Sequence, residues 1–249
     1  MVKPSTCGSL GDQSHNLKDY TTPLMIHFDT QSLESDKESI YVQLEPSTLV
    51  NYDWLMTDYT KFKYVFCHDP KLLTLPNAKF FPFGTCWVNP NKKYSKDFGV
   101  SHLCSSKNQL IGHRLRHQVY NIINTLPYKK INIRTPPRIE SKEIIFDGFQ
   151  YSVIIENTAM PNYFTEKLID CLVTNTIPIY FGCTNINQFF DDSYFLKFNN
   201  INEFDSIIRS ITPEFYARVI NKIEYNRIKA IEYVDIWKRL NTELDKYYA

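Results

Sequence analysis

The sequence predicts an α/β fold built on parallel sheet, and three observations carry that expectation. Short apolar runs alternate with amphipathic stretches through the second half, the pattern left by strand–helix–strand units. Two of those runs, around Tyr151 to Ile155 and Ile177 to Phe181, are apolar at nearly every position, as strands covered on both faces should be. The composition is also that of a folded chain: 43% of the 249 residues are apolar and 15% aromatic, too many for a disordered one.

The elements follow in order. Residues 1–23 are polar and turn-rich and read as a loosely ordered lead-in. Extended segments are expected at Pro23 to Phe28, Ile40 to Leu44, Lys63 to Cys67 and Lys79 to Phe83, each rich in aromatic or β-branched residues and separated by turn formers. Residues 1–98 are thus read as a short, loop-rich first domain and 99–249 as a second. In the second, Val100 to Cys104 reads as a strand. A helix follows at Arg114 to Ile123, with Leu115, Val119, Ile122 and Ile123 on one face. Ile131 to Ile133 is a short strand stopped by Thr135-Pro136-Pro137. After the strand at 151–155 comes a helix over Thr165 to Thr174, with Phe164, Leu168, Cys171 and Leu172 at i, i+4, i+7 and i+8. Strands at 177–182 and Tyr194 to Phe198, a helix at Ile201 to Ile211, and helical pattern from Pro213 onward complete the domain.

Composition removes several function classes. Lysine and arginine number 28 against 27 acidic residues, a balance that opposes a dedicated nucleic-acid binder or a polybasic membrane anchor. The seven glycines form neither G-x-G-x-x-G nor a Walker loop. The six cysteines (7, 67, 86, 104, 171, 183) contain no C-x-x-C pair and read as buried free thiols rather than a zinc knuckle or a disulfide scaffold. No apolar leader or membrane-length apolar run is present, so a soluble, cytoplasmic protein is expected.

In parallel α/β sheets, ligands bind at the carboxyl ends of strands beside helix N-termini, which directs attention to the loops after Ile155 and Cys104. The first of these runs Glu156-Asn157-Thr158-Ala159-Met160-Pro161-Asn162-Tyr163-Phe164-Thr165-Glu166-Lys167. Thr165 is the expected N-cap. Lys167 in the first turn opposes the helix dipole, yet its charge together with the free N–H groups there suits a phosphate. A solvated lysine paired with Glu166 or Asp170 is the competing reading. The other loop leads into Gly112-His113-Arg114-Leu115-Arg116-His117, where an exposed basic face competes with an anion site. His113 and His117 stand at i, i+4, but neither the intervening Glu nor a third ligand of a zinc site accompanies them.

The series Glu156-Asn157-Thr158, Tyr163-x-Thr165-Glu166-Lys167, Leu168-Ile169-Asp170, Ile177-Pro178-Ile179-Tyr180-Phe181-Gly182, Phe189-Phe190 and Ser193-Tyr194-Phe195 resembles, in order, the donor-binding half of glycosyltransferase family 10, the α1,3/α1,4-fucosyltransferases. The resemblance covers roughly the second half of the chain. It implies a GT-B-like architecture: two Rossmann-like lobes with a cleft between them and a nucleotide sugar held by the C-terminal lobe. It gives Lys167 the donor diphosphate, Glu166 the ribose, and places Asn157 and Tyr163 along the donor site. The family's phosphate-binding arginine falls on Arg116, four residues before Tyr120, or on its neighbour Arg114. Catalysis of this kind inverts the anomeric centre and needs a carboxylate base from the first lobe. Glu45, after Ile40 to Leu44, is the candidate, and Asp69 the reserve. No Asp-x-Asp follows an apolar strand, so no metal and no cofactor are expected beyond the donor substrate. GDP-fucose is the implied donor and a glycan hydroxyl the acceptor. A UDP- or dTDP-sugar donor, or an inactive nucleotide-sugar-binding protein, remains compatible with the residues quoted.

Overall fold

The computed structural model describes residues 1–9, 12–31, 36–135 and 139–248. They form two compact units. The first comprises Met1–Phe83, Pro161–Tyr163 and Asp235–Ala249, the second Gly84–Met160 and Phe164–Val234.

The first unit is a parallel sheet of five strands in simple chain order: β1 (Ser5–Gly8), β2 (Leu24–Phe28), β3 (Glu38–Val42), β4 (Tyr64–Cys67) and β5 (Ala78–Phe80). The β3–β4 and β4–β5 connections pack on one face, as right-handed crossovers between strands in chain order should. Tyr41, Val65 and Cys67 point to that face and pack with Tyr52, Phe62, Leu72, and Leu55 of the single-turn helix α1 (Leu55–Asp58). The alternate residues Ile26, Phe28, Ile40, Val42 and Phe66 point the other way, as a period of two requires. That second face is closed by Leu17 and Tyr20 of the β1–β2 connection and by the last helix, α6 (Ile236–Tyr248), through Ile236, Leu240 and Leu244.

This corrects the reading of residues 1–23 as a loose lead-in. Ser5–Gly8 pairs in parallel with Met25–Phe28, and Leu17 and Tyr20 are each only 3% exposed. The polar composition of Ser5-Thr6-Cys7-Gly8 suits an edge strand, which needs few apolar contacts once its backbone is paired. The division of the chain differs from the expected boundary at 98: residues 84–98 pack in the second unit, and the terminal helix returns to the first.

The second unit holds β6 (Val100–Ser105), β7 (Lys130–Thr135), β8 (Tyr151–Ile155), β9 (Ile177–Phe181) and β10 (Leu196–Lys197), all parallel, in the order β10-β9-β8-β6-β7. The helices are α2 (Ile111–Asn124), α3 (Glu166–Val173), α4 (Ile201–Ser210) and α5 (Pro213–Ile231). The two central strands, β8 and β9, are buried at every position, in keeping with their unbroken apolar sequences. The strand expected at 194–198 is cut to two residues because Asp192–Tyr194 forms a helical turn, with the Asp191 carboxylate accepting from the Ser193 N–H. The Pro136-Pro137 stop expected after β7 lies outside the described residues.

The order of this sheet decides where a ligand goes. From β6 the chain crosses outward to β7, then returns to the other side of β6 and runs through β8, β9 and β10. The direction reverses between β6 and β8, and at such a switch point the carboxyl ends of the two strands open a crevice. The loops at that point are those after Ser105 and Ile155, which lead into α2 and α3.

Candidate active site

The site begins with β8. Its apolar run fixes Ile155 in the sheet, and the next residue, Glu156, is fully buried, its N–H still donating to Phe181 O. Burying a carboxylate is costly unless each oxygen is met by a donor. Glu156 Oε1 accepts the Thr165 N–H at 2.9 Å, Oε2 accepts the Thr165 hydroxyl at 2.8 Å, and Lys167 Nζ lies 3.5 Å from Oε2. The strand end therefore grips the residue that starts α3. Thr165 in turn caps the helix, its Oγ1 accepting the Lys167 N–H at 3.3 Å. Two glycines make room: a Cβ on Gly112 would sit 1.8 Å from Glu156 O, and one on Gly182 would sit 2.6 Å from Glu156 Cγ.

Lys167 is one-quarter exposed at its side chain, and its ammonium donates to Thr165 Oγ1 at 2.9 Å and lies 3.3 Å from Glu166 Oε1. Burial disfavours its charge, but Glu166 and Glu156 outweigh burial and hold it above the ordinary lysine range. Arg116, 7% exposed, is near enough for its positive charge to act against that of Lys167. Its Nε donates to Ile155 O at 3.0 Å and its Nη2 to the same oxygen and to Asn157 Oδ1 at 3.1 Å. The arginine thus clamps the end of β8 and orients Asn157. His113, beside them, is held below the ordinary histidine range first by burial, then by Arg116, Lys107 and, more weakly, Lys167. Arg116, Lys107 and Lys167 thus all act on one imidazole at this end of β6 and β8.

Glu166 is buried and shared between two lysines. Lys167 and Lys142 each approach its Oε1 at 3.3 Å. Burial alone would raise the Glu166 carboxyl, but the two ammonium groups outweigh it and lower it to about 2. Lys142 comes from the loop between β7 and β8 and also lies 3.6 Å from Asp170 Oδ2. Asp170, fully buried on α3, is pushed up to about 6, chiefly by burial. Sequence reasoning missed Lys142, since nothing local marks it out among 28 basic residues.

The remaining sequence candidates divide. Of the two arginines, Arg116 joins Lys167, whereas Arg114 is exposed and turns to Gln109 O at 2.8 Å. His113 and His117 do not converge: His113 Nδ1 lies 3.3 Å from the Leu110 N–H, and His117 Nε2 lies 2.9 Å from Lys107 O. Among the described residues no three His, Cys, Asp or Glu side chains gather as a cation site. Tyr163 belongs to the first unit, stacked on His68 with centroids 5.6 Å apart, while Asn162 Nδ2 donates to His68 O.

Glu45 lies in the first unit just beyond β3, half-buried. Its backbone is pinned: its N–H donates to Asp29 Oδ2 at 3.1 Å and its carbonyl accepts the Tyr52 hydroxyl at 2.9 Å. Asp29, with a left-handed φ of 50°, also accepts from Leu44 N and Tyr52 OH, so one half-buried carboxylate organises this strand end. Asp69, the reserve candidate, has its Oδ1 taken by the Lys71 N–H at 2.8 Å in a local turn.

A five-stranded parallel sheet with two cations and a capped helix at its switch point has the arrangement of the doubly wound α/β class, in which that crevice is where ligands bind. Comparison with known proteins takes the assignment further. Residues 90–238 match the family model described as glycosyltransferase family 10 (fucosyltransferase) C-term, and the chain belongs to that family. An α-(1,3)-fucosyltransferase of Helicobacter pylori is 28% identical over 88 residues, 35% of this chain and 16% of that protein. A putative fucosyltransferase of Acanthamoeba polyphaga mimivirus is 30% identical over 86 residues, 32% of this chain and 14% of that protein. An α-(1,4)-fucosyltransferase of Arabidopsis thaliana is 44% identical over 41 residues, 16% of this chain and 10% of that protein, so each match spans a small part of its relative. In fold, a crystal structure of an α1,3-fucosyltransferase with GDP-fucose aligns over 94% of this chain and 92% of its own, with TM-score 0.57 and 15% identity. TarM aligns over 92% of this chain and 55% of its own, with TM-score 0.57 and 12% identity. The GT-B-like, two-lobed α/β class is therefore that of solved glycosyltransferases. No described helix is long and apolar enough to cross a membrane.

Proposed function

We propose that this chain is an inverting glycosyltransferase that moves fucose from GDP-fucose to a glycan hydroxyl. The observation that carries the reading is Lys167: a cation in the first turn of α3, at the switch point of a parallel sheet, beside a second buried cation, Arg116. Cations and helix N–H groups together stabilise the negative charge that grows on a leaving diphosphate. In this reading Lys167 and Arg116 meet the diphosphate, and no metal ion is assigned to it. Glu166, kept ionised by Lys142 and Lys167, accepts hydrogen bonds from the ribose, and Asn157 completes the donor contacts.

The first unit supplies the acceptor side and the base. Glu45 takes the proton of the acceptor hydroxyl as its oxygen attacks the anomeric carbon, and the bond from that carbon to the diphosphate oxygen breaks with inversion. The rigid anchoring of Glu45 by Asp29 and Tyr52 supports it over Asp69, whose carboxylate already closes a turn.

Calorimetric titration with GDP, UDP, dTDP and CDP, each with magnesium and with EDTA, tests the reading on wild type and Lys167→Ala. Selective GDP binding that survives EDTA and is lost in the variant is expected. Preference for UDP or dTDP would retain the fold and discard fucose, and binding of no nucleotide would overturn glycosyl transfer. Glu45→Gln is expected to keep GDP affinity while abolishing transfer.

A further inference from the structure

Trp87 is the most exposed aromatic side chain among the described residues, at 63%. It is nonetheless held in place from two directions. Its backbone N–H donates to Asp170 Oδ1 at 2.7 Å, and Asp170 is fully buried on α3. The ammonium of Lys142 stands 3.8 Å from the indole centroid, over the ring face. That same ammonium is 3.3 Å from Glu166 Oε1 and 3.6 Å from Asp170 Oδ2, and its side chain is only 16% exposed. One buried lysine therefore ties the first turn of α3 to an indole facing solvent.

An exposed indole adds little to a core, and keeping Asp170 beneath its backbone opposes folding whenever that carboxyl is charged. The arrangement presents a flat, rigid, apolar plate with one face supported by a cation. Such a plate stacks planar heteroaromatic rings, whose π-faces need no particular hydrogen-bond pattern. In a nucleoside diphosphate the order of groups is phosphate, ribose, base. In the chain, contacts run from Lys167 to Glu166, from Glu166 to Lys142 and from Lys142 to Trp87. On the nucleotide-sugar reading above, with diphosphate at Lys167 and ribose at Glu166, the plate is the next group along that series of contacts, as the base is the next group along the nucleotide. We propose that Trp87 is the shelf on which the donor nucleobase stacks, with Lys142 as the positioning residue that holds it.

The test titrates GDP, UDP and inorganic pyrophosphate into wild type, Trp87→Ala, Trp87→Phe, Lys142→Met and Lys167→Ala. Trp87→Ala is expected to weaken GDP about five- to a hundredfold. It should weaken UDP less, because a pyrimidine covers less of the indole, and leave pyrophosphate unchanged. Trp87→Phe should recover part of the loss, and Lys142→Met should weaken GDP in the same direction. Lys167→Ala should weaken all three ligands. Unchanged GDP affinity in Trp87→Ala alongside loss in Lys167→Ala would overturn the shelf and leave the donor site standing. Equal weakening of GDP and pyrophosphate in Trp87→Ala would reduce Trp87 to a structural role, and a change confined to acceptor KM would assign the plate to the acceptor; either overturns the proposal. If wild type binds no nucleotide, the shelf falls together with the reading it rests on.

Discussion

Replacing Glu166 by glutamine should make the stability of the second unit less dependent on acid. The native Glu166 carboxyl sits at about 2 against an ordinary value of 4.5. A depressed native value means that the unfolded chain binds the proton more readily, so the contribution to stability is complete above pH 4.5 and lost as pH falls toward 2. At 1.36 kcal/mol per unit the shift corresponds to about 3 kcal/mol at pH 7. About 2 kcal/mol should remain at pH 3.5 and under about 1 kcal/mol at pH 2.5. Asp170 works in the opposite sense. Its native value near 6 makes its charge unfavourable above that pH, and the penalty disappears as pH falls below 6 toward 3.8. Both proteins carry Asp170, so most of this cancels in the comparison. The exception is the part of its elevation that Glu166 itself causes, which glutamine removes. The assay is urea denaturation of wild type and Glu166→Gln at pH 7, 5, 3.5 and 2.5, followed by circular dichroism. Wild type should exceed the variant by about 3 kcal/mol at pH 7, and the gap should close on acidification. A gap that stays constant with pH would refute the assignment of Glu166 as the carboxylate shared by two lysines.

Two further outcomes follow from the geometry around Glu156. Gly112→Ala would bring a methyl group 1.8 Å from Glu156 O, forcing α2 away from the end of β8. The expected cost is about 1–3 kcal/mol by chemical denaturation, and a variant within about 0.5 kcal/mol of wild type would contradict this packing. Arg116→Lys keeps the charge but loses the paired donors to Ile155 O and the bond to Asn157 Oδ1. GDP affinity should fall about tenfold despite the retained charge, and wild-type affinity in this variant would show that charge alone suffices.

Local pattern revealed most of the second unit and the loop and helix start proposed as its site. The apolar runs of β8 and β9, the amphipathic stripe of α3, the Thr165 cap and the exceptional position of Lys167 are all encoded within a few residues of one another. Hydrophobic periodicity and capping are short-range effects, so they survive in a bare sequence. Spacing to Tyr120 favoured Arg116 over its neighbour Arg114, and the packing of α2 on β8 turns the first to Ile155 O and the second to Gln109 O.

Long-range pairing was beyond such reasoning. Ser5–Gly8 is a strand because Met25–Phe28 offers it a partner edge, not because its own residues favour extension. The last helix shows only that it has an apolar stripe. Its destination is the sheet face left open by the β3–β4 and β4–β5 connections, which α6 covers together with Leu17 and Tyr20. Lys142 is an ordinary lysine until the loop between β7 and β8 carries it to Glu166, Asp170 and Trp87. Sequence alone determined which segments fold locally and that a lysine stands in the first turn of α3. Tertiary structure decided which distant charges share that cation's surroundings, because electrostatic coupling depends on separation in space and burial rather than on separation along the chain.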